Sequence, residues 1–323
     1  MKPQKIEISY KTIVFTVLFL IFLWVLYQIR SIILLVFIGF IIMNAFQPVV
    51  KLASRIRLPV LPVMLILYLG ILSLLSMVIA SLIPAVIDQS KSLVLHYPDY
   101  LSSLESTLNL KLDPTWGASY LTGIPSNLLK FAGSAFSNVL NLLAVFFIAY
   151  YLTIERPYLH KYLIKLFGGG DAEKKAETLV QDVERAVGGW VRGELILMLI
   201  IGLMTYAGLS LLGIPYALPL AVLAGLLEVV PNIGPVIAAL PAIFIGFTVS
   251  PFAGFGALVL SILIQQLENN LIVPKVMYSA TGTKPLITIL TLLIGYTLGG
   301  VGGAILAIPL FLTGATVIKH LRR

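Results

Sequence analysis

The chain has 323 residues, 59% of them hydrophobic and only 11% charged, with a mean hydropathy of +1.01. Soluble domains carry about a quarter charged residues, so this composition excludes an ordinary soluble protein and predicts one that crosses a membrane several times. The absence of cysteine removes disulfides, iron–sulfur clusters and thiolate metal sites, and no cofactor is expected.

Charge-free apolar runs occupy 12–29, 31–50, 58–87, 131–154 and 286–318. The first is not read as a cleaved signal peptide, because a second span follows at once without a small-residue cleavage pattern. With the N-terminus inside and the loops alternating in side, 18 of the 22 Lys and Arg fall on one side. Only Arg30, Lys91, Lys111 and Lys130 fall on the other. The positive-inside rule then predicts a multi-pass protein of the cytoplasmic membrane with both termini in the cytoplasm. The net charge of +8 is thereby topological, and nucleic acid is not expected as a partner.

In chain order, 12–29 and 31–46 are expected to form a tight helical hairpin turning at Arg30. Gln47 and Pro48 should end its second helix, with Lys51, Arg55 and Arg57 anchoring the return. A third span from Leu58 should stop near Pro84. Residues 1–87 thus form a three-span scaffold. Residues 88–130 read as an external amphipathic segment of 43 residues, with Val94, Leu101, Leu104 and Leu108 on one face and Tyr97, Tyr100, Trp116 and Tyr120 suited to an interface. His96 reads as a surface residue. A fourth span follows at 131–154. Residues 155–193, with seven basic and six acidic side chains, form a cytoplasmic linker. There Gly168–Gly170 breaks the chain, Asp171 caps the next helix, and Ala176, Leu179, Val183, Val187 and Trp190 trace one helical face. The glycine triplet lacks the Lys-Ser/Thr ending of a phosphate loop.

The core at 194–318 is organised around Glu228-Val-Val-Pro231-Asn232-Ile-Gly234-Pro235. Two prolines bracketing Asn and Gly break any continuous helix. The apolar arms, 220–230 and 236–248, reach only about 17–20 Å as helices, against a hydrocarbon core of about 30 Å. They predict a re-entrant hairpin whose tip is buried in protein or faces water. A second break, Gly299-Gly300-Val301-Gly302-Gly303, divides a later pair of arms. Helix plus broken hairpin therefore occurs twice, at 194–250 and 251–318, entering from opposite sides. The expected fold is an all-α polytopic membrane protein of about eight membrane segments, with two broken or re-entrant helical hairpins in an inverted repeat, an arrangement that transporters use to bind substrate near the midplane. A basic tail, 319–323, ends the chain.

Polar residues gather in this core. Gln265, Gln266, Glu268, Asn269 and Asn270 crowd six positions of a spanning helix; at 100° per residue Gln265, Glu268 and Asn269 share a face, with Gln266 and Asn270 adjoining. That face can meet Glu228, Pro231, Asn232 and Gly234 inside the bundle. Glu228 and Glu268 are the acids of the long apolar run, and such groups can load and release a proton, which is how proton antiport is coupled. Alternatively Glu268 caps its helix or pairs with Lys275, or the amides only satisfy the broken backbone. Glu194, beside Arg192, reads as an interfacial ion pair.

Together the runs Gly225–Pro235, Gln266–Lys275 and Gly299–Leu310 resemble the autoinducer-2 exporter (AI-2E) family of bacterial and archaeal membrane proteins. The resemblance implies a homo-oligomeric inner-membrane transporter of elevator type. It also implies export of a furanone-type quorum-sensing signal, or sodium or lithium/proton antiport. Asn232 departs from the aromatic often found after that proline, and adds an amide ligand for a polar solute or cation. The expected function is ion-coupled export of a small polar solute similar to autoinducer-2. The alternatives are a sodium (lithium)/proton antiporter, with Na⁺ held at Glu228, Asn232 and Glu268, and a non-transporting membrane scaffold. Its partners would be the lipid bilayer, the solute or a monovalent cation, and further copies of the chain. Solute would lie between the 231–235 tip, the glycines Gly299, Gly300, Gly302 and Gly303, and the 265–270 face. His-Glu-x-x-His and Gly-x-Ser-x-Gly are both missing, so no enzyme is expected.

Overall fold

A computed structural model describes residues 10–108, 139–167, 170–231, 233–281 and 285–322. Among these residues every regular element is helical. The elements are α1 (Tyr10–Gln28), α2 (Arg30–Arg55), α3 (Val60–Leu108), α4 (Val139–Glu155), the short α5 (Leu159–Leu163), α6 (Ala172–Leu211), α7 (Ala217–Leu227), α8 (Ile233–Val249), α9 (Pro251–Leu267), a π turn (Glu268–Ile272), α10 (Val273–Thr281) and α11 (Pro285–Leu321). Seven stretches are long and apolar enough to cross a membrane, and α7 and α8 are shorter apolar helices. The chain is an all-α polytopic membrane protein.

Four local expectations are corrected. No hairpin turns at Arg30: Ile29 N–H donates to Val25 O, and Ile33 N–H to Ile29 O. The chain therefore kinks at Ile29 (φ −91°, ψ 7°), because no Gly, Pro or polar run is there to reverse it. Pro48 lies inside α2, which continues to Arg55 and ends in a left-handed residue, Arg57 (φ 58°). There Leu58 N–H reaches back to Ala53 O and Arg57 N–H to Ser54 O, the bonding of a Schellman end. Likewise α3 does not stop at Pro84 but runs through it to Leu108, a length of about 73 Å. A proline removes one backbone donor, and flanking turns and neighbouring helices can hold such a helix together. Asp171 precedes α6 without a capping bond. Residues 109–138, Gly168 and Gly169 lie outside the described residues, and with them Trp116 and Tyr120.

Two clusters tie the bundle together on either side of α3. Phe46, Val50, Met64, Tyr68, Phe146 and Ala149 join α2, α3 and α4. Val78, Leu82 and Val86 of α3 pack with Leu209, Leu220, Ala242, Ile245 and Ala257, fixing α3 against α6 to α9. The face expected on α6 is buried at Ala176, Leu179, Val187 and Trp190 and meets Ile308 and Leu312 of α11. Charge collects at one end of the bundle. Arg156, after α4, holds Glu184 of α6 through two hydrogen bonds of 2.9 and 2.6 Å, and His320 of α11 lies 3.4 Å from Asp182.

Both expected breaks are present. In the first, Gly234 N–H donates to Val230 O and Ile233 N–H to Pro231 O, turning α7 into α8. Gly234 sits against the Leu227 carbonyl so closely that no Cβ fits. In the second, Gly299 and Gly300 leave helical angles, Gly300 at φ 59°, ψ −145°, which is glycine territory. The arms on either side fold together where Gly295 and Gly303 bring their backbones into contact.

Gly303→Val should therefore spring this second hairpin, with overpacking of about 1–3 kcal/mol. In detergent its apparent Tm should drop by several degrees, while Gly302→Ala, where a Cβ meets open space, should leave it unchanged.

Candidate functional site: three buried glutamates

Three elements each bring one carboxyl to the same place. Glu194 lies midway along α6, Glu228 follows α7 at the first hairpin tip, and Glu268 opens the π turn after α9. All three are buried, at 3%, 1% and 1% exposure. For groups whose ionised forms are strongly hydrated, that depth marks a deliberate feature. The Glu228 and Glu268 side chains share a hydrogen bond, and Glu194 lies within electrostatic reach of both. Gln265 Nε2 donates to Glu268 Oε2 at 3.5 Å.

Local sequence explains each placement. On α9 the inward stripe is narrow, running Ala253, Ala257, Ile264 and Glu268 at helical spacing. Gln265 flanks it half-buried, while Asn269 falls about 100° round the axis and is exposed. On α6 the stripe Val187, Trp190, Val191, Leu197 and Ile201 includes Glu194 at the same spacing. Glu228 follows Leu220, Ala221, Ala224 and Gly225, the buried positions of α7. Ile201, Ala224 and Ile264, each within two turns of a carboxyl on its own segment, pack together with Ala238, so the neighbourhood is apolar.

Polar partners are scarce. Both carboxyl oxygens of Glu194, Oε2 of Glu228 and the Trp190 indole Nε1 are buried without a hydrogen-bond partner among the described residues. Buried polar atoms are nearly always paired, so a set of orphans in one region marks a place that accepts a ligand, ion or proton. The same residues form no three-group set with metal-holding geometry.

Of the candidate residues, the structure brings Glu228, Glu268 and Gln265 together, with Pro231 and Gly234 forming the tip beside Glu228. Asn232 lies outside the described residues. Gln266 and Asn270 are exposed and bond each other, Nδ2 of Asn270 donating to Oε1 of Gln266 at 3.0 Å. Gly299, Gly300 and Gly302 are exposed, and Gly303 is half-buried in the second hairpin. Glu194 was misread. It forms no ion pair with Arg192, because residues two apart on a helix point to different sides and Arg192 faces outward. The helical spacing that joins Val187 and Trp190 reaches Glu194 four residues on, which places it on the buried face.

Residues 13–323 match the family described as AI-2E family transporter. "Putative transport protein YueF" of Bacillus subtilis (strain 168) is 27% identical over 290 residues, covering 82% of this chain and 78% of that protein. YrrI of the same organism is 31% identical over 192 residues, 55% of this chain and 53% of its own. YhhT of Escherichia coli (strain K12) is 36% identical over 133 residues, 39% and 36% of the two chains. YrrI and YhhT carry the same description as YueF, and none of the three names states a substrate.

A carboxyl kept in an apolar wall without partners opposes folding, and replacing it with an apolar side chain of similar volume removes that penalty, often about 1–4 kcal/mol. Glu194→Leu should therefore match or exceed the parent in apparent Tm, whereas Glu194→Ala, which leaves a cavity, should fall below the Leu variant by several degrees. A Leu variant that unfolds well below the parent would make Glu194 a structural residue.

Proposed function

This chain belongs to the AI-2E transporter family, and on that premise we propose that it is an ion-coupled secondary transporter whose coupling site is the Glu194, Glu228 and Glu268 cluster. The observation that carries the reading is the convergence of three buried carboxyls from three elements, two of them at backbone breaks. Two carboxyl groups hydrogen-bond to each other only through an O–H, so the Glu228–Glu268 contact is a place for a proton. Glu194, in electrostatic reach of both, adds a third carboxyl to the same region. Occupation by proton or cation changes how easily the tip at 228–235 leaves its neighbours, which is the physical content of coupling.

The transported solute in this reading is small and polar, of the autoinducer-2 type, and moves outward. Its contacts would come from the first tip, including Pro231, Asn232 and Gly234, and from the glycine break of α11. The two hairpins would be re-entrant and related as an inverted repeat, as in elevator-type carriers. The short reach of α7 and α8 supports this, as does the position of each hairpin after a long helix. The basic residues clustered at the ends of α2 and α4 and on the first half of α6 support a cytoplasmic face there, with the C-terminal end of α11, whose His320 lies beside Asp182, on that side; the continuous α1 and α2 give the N-terminus no such support. Gln266, Asn269 and Asn270, exposed on a spanning helix, support a homo-oligomer that would cover them. A sodium (lithium)/proton antiporter is the second reading. The site itself favours it, because carboxyls that share a proton suit proton exchange better than they suit an uncharged furanone.

Proteoliposomes holding the full chain, a pH-sensitive dye and an imposed sodium or lithium gradient test both. In the leading reading a furanone-type solute leaves only when an ion gradient opposes it. Proton movement driven by sodium with no organic solute would favour the antiporter. Glu228→Gln and Glu268→Gln should each lower coupled flux about 10–100-fold, the factor for losing one charge-assisted interaction of about 1.5–3 kcal/mol. A Glu228→Gln protein with normal flux across the pH range would remove the coupling role.

A further inference from the structure

A second polar feature lies away from the glutamates. A cavity of about 510 Å³ opens between the last turns of α2, the residues after α4 and the charged half of α6. Among the described residues four cations line it, Lys51, Arg156, Arg185 and Arg192, with Glu184 the single acid. That acid is committed, since both its oxygens accept from Arg156. The Gln47 amide, turned with its oxygen toward the same guanidinium, accepts from it at 2.8 and 3.3 Å. Arg185 holds Asp182 at 2.8 Å. Lys51 and Arg192 have no ion pair among the described residues. Gly188 also lines it, and a Cβ there would come within 3.3 Å of the Oδ1 of buried Asn44.

We infer that this cavity binds a phosphate-bearing anion, and that the headgroup of an acidic phospholipid is its source. The volume suits a small polar ligand. Guanidinium forks and an ammonium group match phosphate oxygens in geometry and charge. Two cations held by internal acids and two left over make a fixed positive site. Among the described residues no aromatic ring lines the cavity, so they offer no platform on which a nucleobase stacks. The position favours a lipid. The cavity sits where α2 leaves its apolar span, and Val49 and Leu52, on the same turns as Lys51, are exposed apolar side chains able to lie along an acyl chain. Basic pockets between spanning helices at the cytoplasmic surface suit acidic headgroups on electrostatic grounds.

The experiment uses the full chain in a non-ionic detergent, following apparent Tm as phosphatidylglycerol, phosphatidylcholine or inorganic phosphate is added at matched ionic strength. Phosphatidylglycerol should raise Tm in a saturable way, and phosphatidylcholine, whose phosphate is neutralised by its own choline, should not. The double variant Lys51→Gln/Arg192→Gln should bind phosphatidylglycerol about thirtyfold more weakly, a factor of about five for each cation lost. Both side chains are exposed, so its probe-free Tm should match the parent. Gln181→Glu, which adds a negative charge to the lining, should weaken binding as well and stands in if the double variant does not fold. A response to inorganic phosphate that the variants lose would keep the phosphate site but make its source soluble. No response to either anion, or an equal response in the variants, overturns the inference.

Discussion

Bringing a carboxyl group out of water opposes folding by several kcal/mol unless something replaces the lost hydration. This chain gathers three such groups at one point. The surrounding architecture follows from that. α6 runs unbroken for 40 residues and presents Glu194 from a rigid rod. The first hairpin breaks its helix beside Glu228, and α9 passes into a π turn at Glu268. π turns inside helices often sit at functional positions, because the wider turn loosens the regular bonding. Regular helix on one side of the cluster and interrupted helix on two others let backbone groups, as well as side chains, face the same small volume.

Close approach of the helices makes this arrangement possible. In lipid the apolar effect does not press helices together, so packing relies on surfaces that fit. Glycines face backbone at the contacts that matter. Gly225 lies against Met198 O and the Gly202 Cα where α7 meets α6, and Gly246 lies 3.0 Å, measured from an added Cβ, from the Gly254 Cα where α8 meets α9. Gly295 and Gly303 serve the second hairpin. The first hairpin is thus clamped between α6 and α9, the two helices that carry Glu194 and Glu268. Its own carboxyl at the tip has little freedom to avoid them.

Much of this could be read from residue order, and the exceptions share a physical cause. Chain breaks were readable because Pro and Gly act on their own backbone: Pro231, Gly234, Gly299 and Gly300 break helices where expected. Pro48 and Pro84 do not end their helices, because one lost donor is a local penalty and packing by neighbours such as Phe46, Val50 and Val86 outweighs it. Glu194 was misjudged for a related reason. Its neighbour in sequence, Arg192, suggested a pair, but helical geometry separates them by about 200° and tertiary contact with α7 and α9 decides the environment. Asn269 failed in the opposite direction, since periodicity gives a face but not its width, and the buried stripe on α9 is too narrow to include it.

α6 connects the two polar regions. Gln181, Glu184, Arg185, Gly188 and Arg192 recur at three- and four-residue spacing on the side that lines the basic cavity. Val187, Trp190, Val191, Glu194 and Leu197 recur at the same spacing on the buried side, offset by about 140°. One helix therefore carries a positively charged stripe and a buried stripe that includes an unpartnered carboxyl, with Arg192 and Glu194 two residues apart and on different faces. A rotation or axial shift of α6 cannot alter one region without altering the other, because a helix with intact hydrogen bonds moves as a unit. An anion seated against Arg192 would resist such movement, and a change of charge at Glu194 would favour or oppose it. The occupancy of the two sites is then linked through the position of a single rod, and the sign of that linkage depends on which position of α6 each occupant prefers.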